Sequence, residues 1–150
     1  MIWTSEQIGQ ALSLTLSTND KFGKVQFNSQ DIEKGDIFIA LKGGTRDGHE
    51  FVLDAFAKGA ALAIVREDIK NAPVNKIIKV EDTFEALEGL AEYKRQNSKA
   101  HFIGVTGSVG KTSTKEIIGL ILSSFGKTFV SRGNFNNHIG VPINLASIAD

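Results

Sequence analysis

The segment Gly104-Val105-Thr106-Gly107-Ser108-Val109-Gly110-Lys111-Thr112-Ser113 joins small residues, one lysine and several hydroxyls at a spacing that suits a bound polyphosphate. Phosphate oxygens call for converging N–H donors with no side chain in the way. Glycines at 107 and 110 let the backbone curl close, and a helix starting at Lys111 adds partial positive charge. Lys111 is then placed to reach the β- and γ-phosphates, and Thr112 to put its hydroxyl on Mg²⁺, which neutralises charge during in-line phosphoryl transfer. The strict phosphate-loop pattern has a glycine where this chain has Val105, so the loop is a variant with glycines at 104, 107 and 110. A glycine-rich turn that binds nothing is the alternative, and Gly-Lys-Thr directly at a helix start argues for the nucleotide. Lys115 and Glu116, one turn further on, read as a solvated helix face.

The elements around the loop follow from periodicity and caps. Thr4 and Gln7 stand at capping-box spacing, and Ile8, Ala11, Leu12 and Leu16 form one stripe, which predicts a helix from Thr4 to Leu16. Strands are expected at Val25–Phe27, Ile37–Leu41, Ala60–Val65 and Lys76–Val80. The loop from Lys42 to His49 leads into a helix with Phe51, Val52, Ala55 and Phe56 on its stripe, ended by Gly59. Asp82 caps a helix that turns Phe84, Leu87, Leu90 and Ala91 inward, and its polar exit from Lys94 to Lys99 reads as a linker. Beyond it a strand at His101–Val105, a helix at Lys111–Phe125, a strand at Lys127–Val130 and a helix starting near Pro142 complete the alternation of a parallel α/β sheet.

Composition narrows the classes. The chain has 150 residues, with 17 Lys plus Arg against 17 Asp plus Glu, a balance that argues against a nucleic-acid-coating protein. The first 98 residues hold 12 of the cations and 15 of the anions, so the more basic remainder is the better anion binder. With 41% hydrophobic and 23% charged residues it reads as an ordinary soluble domain, and without cysteine it has no disulfide, thiol nucleophile or Cys-ligated zinc. No apolar run approaches the roughly 18 residues of a membrane span, and a cytoplasmic location is the default expectation. Of the histidines, His49 is read as ordering the Asp-Gly-His turn, His101 as opening a strand and His138 as part of an asparagine-rich loop, with no cluster that suggests a metal.

The loop Thr-Gly-Ser-Val-Gly-Lys-Thr followed by Ser-Thr-Lys-Glu resembles the ATP site of the Mur ligases, the amide-forming enzymes of peptidoglycan assembly. Gly35 to Gly43, continuing to Asp47-Gly48-His49 and Phe51, is similar to the uridine-nucleotide-binding domain that opens the family's third and fourth ligases. Gly133-Asn134-Phe135-Asn136-Asn137-His138-Ile139-Gly140-Val141-Pro142 is similar to a loop of the fourth, which joins D-alanyl-D-alanine to UDP-N-acetylmuramoyl-tripeptide.

The resemblance implies a small N-terminal uridine-nucleotide-binding α/β domain, residues 1–98, followed at 99–150 by the start of a phosphate-loop parallel-sheet ATPase domain. It implies an ATP-dependent ligase of cell-wall synthesis with Mg²⁺, working through an acyl phosphate that the amine of D-alanyl-D-alanine attacks. Gly107, Ser108, Val109, Gly110, Lys111, Thr112 and Ser113 would then cradle ATP, with Lys111 and Thr112 the catalytic pair and Thr112 on the metal. Phe27 and Ser29 would touch the uridine, Gly44, Thr45 and Arg46 would close over it, and Asn136 and Asn137 would face the UDP-sugar. Phe27 suits a core aromatic equally well, and Arg46 a solvated loop. Where the family usually reads Asp-Ser-Arg or Asp-Thr-Arg, this chain has Asn28-Ser29-Gln30.

A phosphoryl-transfer site also needs an acidic residue after a later strand and groups that position the acceptor, so the expectation is an N-terminal fragment or truncated product, inactive alone. The whole enzyme would be a monomer. Open alternatives are the family's third ligase, a stand-alone nucleotide-binding or assembly module dimerising through a sheet edge, and a small phosphate-loop kinase.

Overall fold

The computed structural model describes residues 2–16, 18–131 and 137–149. In chain order its elements are β1 (Trp3–Thr4), α1 (Ser5–Leu12), β2 (Lys21–Phe22), β3 (Val25–Gln26), β4 (Ile37–Ile39), α2 (Val52–Ala57), β5 (Leu62–Val65), β6 (Ile77–Lys79), α3 (Thr83–Asn97), α4 (Lys111–Ser123) and α5 (Gly140–Ala146). Strands β3, β4, β5 and β6 form a four-stranded sheet in that order, parallel throughout, with Ile37 opposite Leu62 and Ile64 opposite Ile78. Strands β1 and β2 pair separately and antiparallel, a ribbon the hydrophobic pattern had not indicated.

Alternation along the strands explains why the sheet is covered on both sides. Ile37, Ile39, Leu62, Ile64 and Ile78 face one core with Trp3, Ile8, Leu87 and Leu90, whereas Phe38, Ala40, Ala63 and Val65 face another with Val52 and Ala55. Strands buried on both faces read as unbroken apolar runs, as the sequence from Ile37 to Leu41 does. Helices α1 and α3 thus lie on the first face and α2 on the second.

Local signals set the helix ends. Thr4 accepts from the Gln7 N–H while the Gln7 side chain accepts from Thr4 N–H, the reciprocal cap expected. The helix then stops at Leu12, short of the predicted Leu16, because Ser13 turns left-handed at φ 55° and Leu14 N–H bonds back to Gly9. Leu16 still packs on the core from the loop. Asp82 caps α3 through the N–H groups of Phe84 and Glu85, and Gly59, at φ 108°, turns the chain out of α2.

Three expectations need correction. His101–Val105 and Lys127–Val130 are irregular segments, not strands; both line a cavity of about 460 Å³ and neither has a ladder partner among the described residues, and apolar residues form strands only when paired. Lys94 is no linker residue: it is 2% exposed on α3, donates to the Ile2 carbonyl at 2.8 Å and lies 4.9 Å from the centroid of the Trp3 ring. Helix α5 packs on the first face of the four-stranded sheet, where Ile143 and Ala146 are buried in its core and Ala146 O accepts from the Trp3 indole N–H at 2.8 Å.

Helices α1 and α3 approach closely at Gly89, where an added Cβ would stand 2.9 Å from the Ala11 carbonyl oxygen. Alanine normally favours a helix over glycine by about 1 kcal/mol, but overpacking against backbone costs about 1–3 kcal/mol. Gly89→Ala is therefore expected to lower the urea midpoint at unchanged slope, by about 1 kcal/mol net. A raised midpoint would show that the helices separate freely.

Candidate functional site

Two hollows gather the residues singled out by the sequence. The first, about 360 Å³, lies at the start of α4 and includes Gly104, Val105, Lys111, Thr112 and Lys115 in its wall. Gly110 sits immediately before α4 at φ 79°, and a Cβ there would meet nothing within 4 Å, so glycine is required for its backbone angle and not for space. No side chain caps α4, which leaves the N–H groups of its first turn directed at the loop. Lys111 Nζ folds back onto the Gly107 carbonyl at 2.5 Å, and Thr112 and Ser113 are exposed beside it. Gly107, Ser108, Val109, Gly110 and Ser113 are not in the wall of this hollow, and Val109 is 91% exposed. An uncapped helix start, a left-handed glycine and an ammonium bound only to loop carbonyl oxygen fit a phosphate with its metal: the anion can take the N–H groups and the ammonium, and Thr112 can offer its hydroxyl.

Lys115 does not belong to a solvated face. Its side chain is 16% exposed, bonds to the Ser131 carbonyl and stands 3.4 Å from Ser131 Oγ, with Glu116 at 3.5 Å. This lysine pins α4 to the segment that follows it, as does Gly119, where a methyl group would overlap Val130. Helical spacing placed Lys115 correctly but carried no sign of its distant partner.

The second hollow, about 350 Å³, opens at the carboxyl ends of β3 and β4 and brings together Phe27, Ser29, Gln30, Arg46, Phe51 and Ile139. Gly44 and Thr45 are at the exposed tip of the neighbouring loop and not in its wall. Asn137 caps α5, its Oδ1 accepting from the N–H groups of Ile139 and Gly140 at 3.2 and 2.7 Å; Asn136 lies outside the described residues. Asn28 accepts from Gln30 N–H and donates to Asp31, so it caps the short turn Ser29–Asp31. An aspartate can accept that same N–H, which explains how the chain tolerates Asn28.

A network unseen in the sequence fixes the loop beside this hollow. Asp47 accepts from His49 N–H at 3.0 Å and contacts His49 Nδ1 at 2.6 Å, while His49 Nε2 accepts from Arg66 N–H at 2.9 Å. The ring therefore carries its proton on Nδ1 and ties the loop to the end of β5. Gly48 completes the anchorage: a Cβ there would stand 2.7 Å from both Leu41 N and Leu41 O. The expected turn-ordering role of His49 is present, with Arg66 as the additional partner.

Helix α5 borders both hollows, Asn144 in the wall of the first and Ile139, just before the helix, in that of the second. This is the architecture of a mixed α/β protein with a parallel sheet. Residues 21–95 match the Mur ligase family, catalytic domain, and residues 105–150 match the Mur ligase middle domain. The chain belongs to the Mur ligase family. It is 52% identical over 150 residues to the UDP-N-acetylmuramoyl-tripeptide–D-alanyl-D-alanine ligase of Rickettsia prowazekii, covering 100% of this chain and 33% of that protein. The solved D-alanyl-D-alanyl ligase of Acinetobacter baumannii superposes with a TM-score of 0.82 at 39% identity, over 99% of this chain and 34% of that one. The MurF ligase of Thermotoga maritima in complex with ADP gives 0.67 at 35% identity, over 83% and 29%. The chain thus spans about a third of the length of the first of these relatives.

Two carboxylates near the second hollow titrate below the usual range. Asp54 is lowered chiefly by the Ser29 hydroxyl, with Lys58 adding to it; Asp47 is lowered chiefly by the backbone N–H of His49, then by its side chain. A depressed folded-state value means that the unfolded chain binds the proton first. The stability from Asp47 is complete above about pH 4 and is lost as the pH falls through its lower folded value. Asp47→Asn should flatten the acid limb of a stability–pH profile below about pH 4. An acid limb as steep as in the unaltered chain would assign the loss to other groups.

Proposed function

We propose that the chain is part of an ATP-dependent ligase of peptidoglycan synthesis that joins D-alanyl-D-alanine to UDP-N-acetylmuramoyl-tripeptide. In this reading residues 1–98 bind the UDP-linked substrate and residues 99–150 begin the ATP-binding domain. The supporting observation is the pair of hollows bordered by α5: one holds Lys111 and Thr112, the other Phe27, Ser29 and Arg46. A nucleotide-linked acceptor and a phosphoryl donor must lie near one another for transfer, and Ile139 in the second wall stands only two residues before Val141 in the first. The relatives named above, ligases of this activity and an ADP complex, point the same way.

Each residue then has a task that its surroundings suit. Gly107, Ser108, Val109 and Gly110 present backbone to the phosphates, Lys111 exchanges the Gly107 carbonyl for phosphate oxygen, and Thr112 and Ser113 offer hydroxyls, Thr112 to Mg²⁺. ATP with magnesium supplies the phosphoryl group that makes a carboxylate reactive toward an amine. Phe27 lies against the base, Arg46 donates to ribose or phosphate oxygen, and Gly44 and Thr45 cover the opening from the loop tip. Asn137 faces the sugar from the start of α5. The whole enzyme is read as a cytoplasmic monomer; among the described residues no helix is long and apolar enough to cross a membrane.

Calorimetry on this chain separates the two halves. Lys111→Ala should weaken binding of ATP with magnesium by about tenfold or more, the loss expected when a charge-assisted phosphate contact is removed, and leave UDP binding unchanged. Unchanged ATP affinity would overturn the assignment of the phosphate loop.

A further inference from the structure

The second hollow contains one hydrogen-bonding group whose polarity the protein itself has set. Ser29 is 4% exposed, and its hydroxyl donates to Asp54 Oδ2 at 2.7 Å across to α2, where Lys58 stands 3.5 Å from the same carboxylate oxygen. An ionised carboxylate accepts and cannot donate, so the serine proton is committed, and Ser29 Oγ can offer the hollow only a lone pair. The other polar side chains of the wall differ. Asn28 is engaged with Asp31 and the Gln30 N–H, Gln30 carries an amide that can turn either its oxygen or its nitrogen inward, and Arg46 only donates.

We infer that Asp54 is a positioning residue for base recognition: by holding the Ser29 proton it makes Ser29 Oγ a fixed acceptor, which selects a pyrimidine whose ring nitrogen N3 bears a hydrogen. Uracil has that N–H. Cytosine has a lone pair at N3, so the two acceptors would face each other with no proton between them, and a buried acceptor left without a donor weakens binding. Phe27 and Phe51 provide apolar contact that either ring satisfies equally, which leaves the discrimination to the hydroxyl. The inference rests on the reading of this hollow as the uridine site. It assigns to Asp54, a residue of α2 that is absent from the wall, the choice of base.

The test compares UDP with CDP on the 150-residue chain by calorimetry. The unaltered chain should prefer UDP by about tenfold or more, the effect of one mismatched hydrogen bond. In Asp54→Ala the Ser29 hydroxyl is free to donate, so CDP binding should tighten and the preference fall to about twofold to threefold. Ser29→Ala removes the acceptor without touching α2 and should also erase the preference; adding Asp54→Ala to it should change the ratio no further, because the aspartate acts through the serine. The Asp54 side chain is 43% exposed, so Asp54→Ala should still melt in one cooperative transition, at a lower temperature because the buried Ser29 hydroxyl loses its acceptor. A preference that survives in Asp54→Ala, or equal weakening of both diphosphates, overturns the inference while leaving the uridine site in place. Failure of the unaltered chain to bind either diphosphate overturns the uridine reading itself, and the inference with it.

Discussion

Burial of α5 against the first sheet is the constraint on which both hollows depend. The helix has 7 residues, well below the roughly 12–15 at which an isolated helix becomes even marginal, so its conformation comes from packing. Ile143 and Ala146 enter the core shared with Val25, Ile37 and Leu87, and the Trp3 indole fixes the register by donating to Ala146 O. Trp3 is itself held in place by β1 on one side and by Lys94 over its ring on the other. The β1–β2 ribbon, easy to overlook, thus serves to place an indole from the first residues against a helix more than a hundred positions later. Without that contact neither Ile139 nor Asn144 would have a defined place in the two walls.

The sheet explains why the second hollow forms where it does. Strands β3 and β4 run parallel and side by side, and the connections leaving their carboxyl ends both cross to the face that carries α2, where Ile32 packs with Val52 and Ala55. Here β3 runs into Phe27 and the turn Ser29–Asp31, β4 into the loop that carries Arg46, and β5 into Arg66, whose N–H holds His49. Backbone at these ends no longer has ladder partners, so side chains supply the missing bonds: Asn28, Asp47 and His49 each satisfy a backbone N–H. Among the described residues no buried side-chain nitrogen or oxygen lacks a partner.

What could be read from the sequence was whatever local chemistry dictates. The Thr4–Gln7 cap, the Asp82 cap and the glycines at 59 and 110 each depend on neighbours a few residues away and appear where expected, and the apolar run from Ile37 to Leu41 forms a buried strand over Ile37–Ile39. The misses share the opposite property. His101–Val105 carries the composition of a strand, but a strand exists only with a partner, and its apolar side chains line a cavity instead. Lys94 and Lys115 look like solvent-facing cations because lysine usually is one. Each is drawn inward by a backbone carbonyl far along the chain, Ile2 and Ser131, that no periodicity could announce. For the candidate site the same division holds: Lys111 and Thr112 were legible from the loop, whereas the links from Ser29 to Asp54 and from His49 to Arg66 were not.

The two hollows also differ in their polar surroundings, and the difference suits the ligands proposed for them. In the wall at Ser29 the hydroxyl of that residue and the amide of Asn28 are already engaged with the protein, which fixes their orientation and lowers the entropy lost when a neutral base enters; shape and polarity then decide what fits. At the start of α4 the chain leaves the backbone N–H groups of the helix uncapped and keeps Lys111 on a flexible stem over the Gly107 carbonyl. A polyanion needs many donors at once and is heavily hydrated, so unused N–H groups and a mobile ammonium suit it better than a rigid polar wall. Engaged side chains beside uncommitted backbone suit the two kinds of recognition proposed for this chain: a base chosen by direction, and phosphates held by charge.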